Sequence, residues 1–224
     1  MQNMNTTHHE HGLKLLEFGH TKEGIDVFNL CLSVDPKDWV ALLNLGIAYM
    51  DSGDFTNAEK YFSQVEEQNP ASVDLYIHRA LINIDNEDFN AAFDNLKKAE
   101  KYAFDEVWGF IYNAYTCLYI EQESYDKALT YAQKTIFHCP EEEMGYMNAA
   151  YIYEEKEEFD NAFRMFDHVL RKINPFHTEA LVCRALYVYE EFGELTQAIR
   201  DLRVADNLGH FEAGDILKEI LSEK

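Results

Sequence analysis

Apolar and small residues follow a helical spacing along this chain, polar turns interrupt them, and whole blocks of the pattern return at a fixed interval. The block is clearest at Leu42-Leu43-Asn44-Leu45-Gly46-Ile47-Ala48-Tyr49, followed by Gly53-Asp54-Phe55, Ala58, Tyr61-Phe62, Val65 and Asn69-Pro70. Ala58 is echoed by Ala92, 34 residues later. Tyr49, Phe55 and Ala58 are echoed by Tyr119, Tyr125 and Ala128, and again by Tyr153, Phe159 and Ala162. A 34-residue period with small residues at fixed places and aromatics between them predicts a solenoid of helix–turn–helix units.

Counting each unit from one to thirty-four puts small residues at eight and twenty. The units then cover about 5–38, 39–72, 73–106, 109–142, 143–176 and 178–211, and 210–222 reads as a last, capping amphipathic helix. Residues 5–224 are expected to form a single solenoid, preceded by a flexible 1–4. The register has local departures. His8 and His11 stand where large apolar residues usually sit, Asn83 where an aromatic is expected, and Phe104 where Pro is expected. Val107 and Trp108 are inserted, Thr116 replaces a Gly or Ala, Pro175 arrives one residue late, and the sixth unit has one extra residue near its turn.

The pattern has a physical reason. Two short helices cannot bury their apolar stripes alone, so each pair needs its neighbours. Small residues at eight and twenty let backbones approach, and aromatics at eleven and twenty-four fill the space beside them. Gly53 and Gly193 suit a tight turn with positive φ. Asp54, Asp88 and Ser124 follow as expected N-caps, and Pro36, Pro70 and Pro140 end the second helices. A large side chain at Gly46 is expected to overpack the pair.

These features resemble the tetratricopeptide repeat family over nearly the whole chain. The resemblance implies an all-α fold, a right-handed superhelical solenoid of antiparallel helix pairs. It also implies that the first helix of each pair lines a concave face, with positions two, five, six, nine, twelve and thirteen in the groove. Carried over residue by residue, this gives a peptide-binding groove containing Leu43, Asn44, Ile47, Ile77, His78, Leu81, Asn113, Cys117, Met144, Met147, Asn148 and Tyr151. Asn44 and Asn148 would hold a peptide backbone by their amides. The family's clamp for a C-terminal carboxylate is not expected, because His9, Asn44, Asp74 and His78 occupy its places and Asn44 alone matches.

Asp51, Asp85, Glu121, Glu154 and Glu155 fall at equivalent places near the ends of successive first helices. Carboxylates there oppose the helix dipole. Repetition of an unfavourable choice suggests an acidic rim for Lys or Arg of a partner; the plainer reading is that these residues keep a turn wet. The chain's net charge of −22 points the same way. It repels nucleic-acid phosphates and anionic membrane surfaces and favours a basic or amphipathic protein segment, although acidity also serves solubility.

His8, His9 and His11 form a His-rich tract, but no third or fourth zinc ligand is evident nearby, so no metal site or cofactor is expected. Asp51–Asp54 and Asp85–Asp88 lack the glycine and the bidentate glutamate of a calcium loop. No phosphate loop, nucleophile elbow or HExxH motif occurs. Cys31, Cys117, Cys139 and Cys183 are scattered, which suits reduced thiols. With neither a secretory leader nor a spanning apolar run, a cytoplasmic location without membrane insertion is expected. The reading is a non-enzymatic interaction scaffold, chaperone or adaptor, monomeric, holding a peptide or helix of a partner in the groove. The alternative is a self-associating assembly subunit that uses convex or terminal surfaces, with Trp39 and Trp108 as exposed aromatics.

Overall fold

The computed structural model describes residues 2–222, which contain thirteen α-helices and no strand. The chain divides into two compact units between Val107 and Trp108. These are the two residues that stand outside the 34-residue register.

In the first unit, α1 (Gln2–Glu17) pairs with α2 (Thr21–Val34), α3 (Trp39–Asp51) with α4 (Phe55–Gln68), and α5 (Val73–Asp85) with α6 (Phe89–Tyr102). A 3₁₀ turn, Asp105–Val107, follows. In the second unit, α7 (Trp108–Glu121) pairs with α8 (Tyr125–His138), α9 (Glu143–Glu155) with α10 (Phe159–His168), and α11 (Thr178–Phe192) with α12 (Leu195–Asn207). The last helix, α13 (Ala213–Ser222), packs on α12.

Every small residue assigned to position eight or twenty is buried, from Gly12 and Gly24 in the first pair to Ala185 and Ala198 in the sixth. A Cβ on Gly46 would overlap the ring of Phe62, and one on Gly12 would come within 2.7 Å of the Phe28 ring. Thr116 at the same place in the fourth pair is fully buried, and its hydroxyl donates to the Tyr112 carbonyl at 2.9 Å.

Turns and caps follow local chemistry. The side chains of Asp38, Asp54, Ser72 and Asp88 accept from the backbone N–H three residues on, capping α3, α4, α5 and α6. Ser124 sits at the N-cap of α8 but makes no cap bond; its hydroxyl donates to the Gln122 carbonyl instead. The turn residue is left-handed in every pair: Gly19, Gly53 and Gly193, but also Glu87, Glu123 and Glu157.

The departures from register have physical counterparts. Tyr49 stacks on Tyr61 at 5.5 Å and Tyr119 on Tyr131 at 5.4 Å. At the matching places in the third pair Asn95 donates to Asn83 at 2.9 Å, so two amides replace two rings. The late Pro175 follows a π-turn, Val169–Ile173, closed by Asn174 N–H donating to the Val169 carbonyl at 2.8 Å. A π-turn takes up one extra residue without breaking the helix. The extra length of the sixth pair lies in α11, which has 15 residues where α3, α5 and α9 have 13.

Candidate functional site

The residues expected in the groove are less exposed than a solvated face would be. In the first unit Leu43 and Ile77 are buried, Asn44 is at the edge of burial, and Ile47, His78 and Leu81 are half-buried. Asn44 Nδ2 donates to its own helix at the Val40 carbonyl, 2.8 Å away. His78 lies against the Phe62 ring at 6.3 Å, and its buried Nδ1 has no hydrogen-bond partner among the described residues. Burial pulls the His78 imidazole down to about 4, so the ring is neutral.

In the second unit Asn113, Cys117, Met144, Met147 and Asn148 are half-buried and Tyr151 is exposed. The fold brings Asn113 and Asn148 together across α7 and α9, with Asn148 Nδ2 donating to Asn113 Oδ1 at 2.8 Å. Asn44 and Asn148 thus each use one of their two amide N–H donors within the chain.

Of the acidic residues, Asp51, Asp85, Glu121 and Glu155 are exposed and Glu154 is half-buried. Partial desolvation by its neighbours raises the Asp51 carboxyl although the residue is exposed. The Tyr125 hydroxyl donates to Glu155 at 3.0 Å. Glu154 differs from the others. Burial first, then the neighbouring Glu179 and Glu155, hold its carboxyl above the usual range.

Glu154 opens onto a cavity of about 220 Å³ between α9, the start of α10, and α11. Leu186, Cys183, Phe159 and Tyr187 line it with apolar surface, and Glu190 and Glu191 add two further carboxylates. Tyr187 is fixed there by stacking on Phe163 at 4.7 Å and by donating its hydroxyl to Asp160. The Cys183 thiol is pushed up to about 12, by burial and then by Glu154 and Glu179, so it stays a neutral wall. Three acids beside apolar surface suit the stem and head of a Lys or Arg side chain. Cys183 and Leu186 hold positions six and nine of the sixth unit, which are groove positions in the resemblance; Phe159, Tyr187, Glu190 and Glu191 were not expected here. Glu190 and Glu191 ride on the lengthened end of α11, where the 34-residue register no longer applies.

Trp39 is exposed, as expected, but Trp108 is half-buried and stacked on Tyr112 at 5.4 Å. The most exposed aromatics among the described residues are Phe18, Phe137, Phe176, Phe192 and Phe211, each at least 60% accessible. The four cysteines form no disulfide. No helix among the described residues is long and apolar enough to cross a membrane.

Stacked antiparallel helix pairs with small residues at every crossing define a helical-repeat protein. Residues 43–106 match the family model described as tetratricopeptide repeat. A tetratricopeptide repeat protein from Parabacteroides merdae ATCC 43184 is 18% identical, with TM-score 0.70, over 97% of this chain and 83% of that one. PilW, a widely conserved type IV pilus biogenesis factor, is 13% identical, with TM-score 0.73, over 97% and 98%. The Cut9–Hcn1 hetero-tetramer of APC/C supplies a chain 15% identical, with TM-score 0.76, over 97% and 43%. No curated protein matches the sequence. The chain has the fold of tetratricopeptide repeat proteins, and residues 43–106 carry the repeat's sequence pattern.

Proposed function

We propose that this protein is a non-enzymatic scaffold or adaptor that holds a basic, amphipathic segment of another protein, and that the cavity between α9, α10 and α11 is its anchor. The observation that carries this reading is the juxtaposition of Glu154, Glu190 and Glu191 with Leu186, Phe159 and Tyr187. A Lys or Arg stem covers the apolar wall while its head meets the carboxylates. An incoming cation also relieves the crowding that raises Glu154. Among the structural neighbours, PilW is a type IV pilus biogenesis factor and Cut9 forms a hetero-tetramer with Hcn1, which agrees with an adaptor role.

The test is fluorescence anisotropy against a panel of amphipathic helical peptides that differ only in Lys/Arg or Glu on the polar face. The basic peptides should bind, and raising salt should weaken them. Glu154→Gln with Glu190→Gln and Glu191→Gln should weaken binding at least tenfold, and Leu186→Glu should disrupt it independently through the apolar wall. Equal binding of basic and acidic peptides, or no effect of either variant, would refute the anchor.

The exposed Phe137 and Phe211, at 80% and 83%, favour a second reading in which the chain self-associates through surfaces away from the cavity. Light scattering at micromolar concentration distinguishes the two: a monomer removes the self-assembly reading.

A further inference from the structure

We propose that His9, Cys31 and Asp38 bind one Zn²⁺ ion, which clasps the first helix pair to the head of α3. The three side chains come from α1, α2 and the N-cap of α3, with Cys31 and Asp38 lying 22 and 29 residues after His9. Their ligand atoms all lie within 4.8 Å of one another, and His9 Nε2 is 2.8 Å from Asp38 Oδ2. Donors around a tetrahedral zinc are about 3.3–3.7 Å apart, given bond lengths near 2.0–2.3 Å. Small side-chain rotations therefore suffice to close the set. Asp38 Oδ1 accepts from Ala41 N–H at 3.1 Å, which orients the carboxylate with its other oxygen toward His9. Imidazole, thiolate and carboxylate together suit a borderline divalent cation.

The repeat itself supplies a control. His9, Cys31 and Asp38 occupy positions five, twenty-seven and thirty-four of their unit; the second unit has Leu43, Val65 and Ser72 there, and the fifth has Met147, Val169 and Phe176. The positions that fold together in each repeat thus carry three metal donors in the first. The side chain of Asp38 is 8% exposed and that of His9 18%, while Cys31 is buried. The site is therefore shielded yet reachable from the His9 side, where water or a partner's donor completes the fourth position. His8 and His11, the other histidines of the tract, stand outside the cluster. His9 has no further ligand near it in sequence because Cys31 and Asp38 come from two later elements.

The experiment uses full-length, untagged, reduced and metal-free protein. Calorimetry with Zn²⁺ should give one site per chain. Co²⁺ should produce a thiolate-to-metal charge-transfer band in the near ultraviolet, which carboxylates adsorbing metal elsewhere cannot produce. His9→Leu, Cys31→Val and Asp38→Ser copy the second repeat, so the fold is retained, and circular dichroism checks this. Each should weaken Zn²⁺ at least tenfold, and Cys31→Val should abolish the band. Absence of the band in the wild-type protein, or unchanged Zn²⁺ affinity in folded Cys31→Val, overturns the proposal.

Discussion

The ring of Phe62 occupies the space that a Cβ on Gly46 would need. The same two register positions hold Gly12 with Phe28, Ala80 with Leu96 and Thr116 with Ala132, so the second-helix residue shrinks as the first-helix residue grows; Ala150 with Phe166 is the exception. Gly46→Ala should cost about 1–3 kcal/mol through overpacking. Adding Phe62→Leu should recover part of that loss, giving a favourable coupling of about 0.5–3 kcal/mol in a double-mutant cycle. Chemical denaturation of the four proteins measures it, and strict additivity would mean that the two residues do not share this space.

Glu87, Glu123 and Glu157 adopt φ of 59°, 52° and 58°, at the turn position that Gly53 holds at 77°. A left-handed conformation costs a residue with a Cβ about 1–2 kcal/mol. Glu157→Gly should therefore stabilise the fold by about 1 kcal/mol, and Gly53→Ala should destabilise it by a similar amount. Thermal melts that moved in the opposite directions would contradict the turn geometry.

Burial holds His78 at about 4, against an ordinary value near 6.5. In the unfolded chain the ring takes up a proton near its ordinary value; in the folded chain it does not until the pH is much lower. Above about 6.5 the protonation penalty vanishes, and stability should fall progressively as pH drops from there toward about 4. Asp74, one turn earlier on α5, is raised by burial and works in the opposite sense, near and above the ordinary carboxylate range. The difference between wild type and His78→Leu isolates the histidine: the unfolding free energies should converge in slope above pH 7 and diverge below about 6. Parallel profiles through that window would mean the ring protonates freely in the folded state.

The Arg184 guanidinium joins three helices, donating to Asp201 at 2.9 and 3.0 Å and to Asp167 at 3.1 Å. Asp201 is only 3% exposed and also accepts from Gln197 at 2.8 Å. Arg184→Met should cost about 3–5 kcal/mol, because it leaves a buried carboxylate without its counter-charge. Asp201→Asn in the same chain should restore part of it. The exposed arm, Arg171 with Asp167, should contribute at most about 1 kcal/mol. Urea unfolding of these variants ranks the two arginines.

The chain's own order of residues was enough to determine the helix pairs, their register and the buried small residues, since these rest on spacings within one unit. It also explained where trouble would lie: the inserted Val107 and Trp108, the late Pro175 and the overlong sixth unit are visible as counts. How each irregularity resolves was decided by the tertiary structure. A π-turn absorbed one residue, and a lengthened α11 brought Glu190 and Glu191 beside Glu154. The meeting of His9 with Cys31 and Asp38, the Asn113–Asn148 bond and the burial of Leu43 and Ile77 likewise depend on distances between separate helices. Periodicity specifies which face a side chain takes on its own helix. What stands opposite that face, and how much water remains there, is set by packing, which no interval along the chain records.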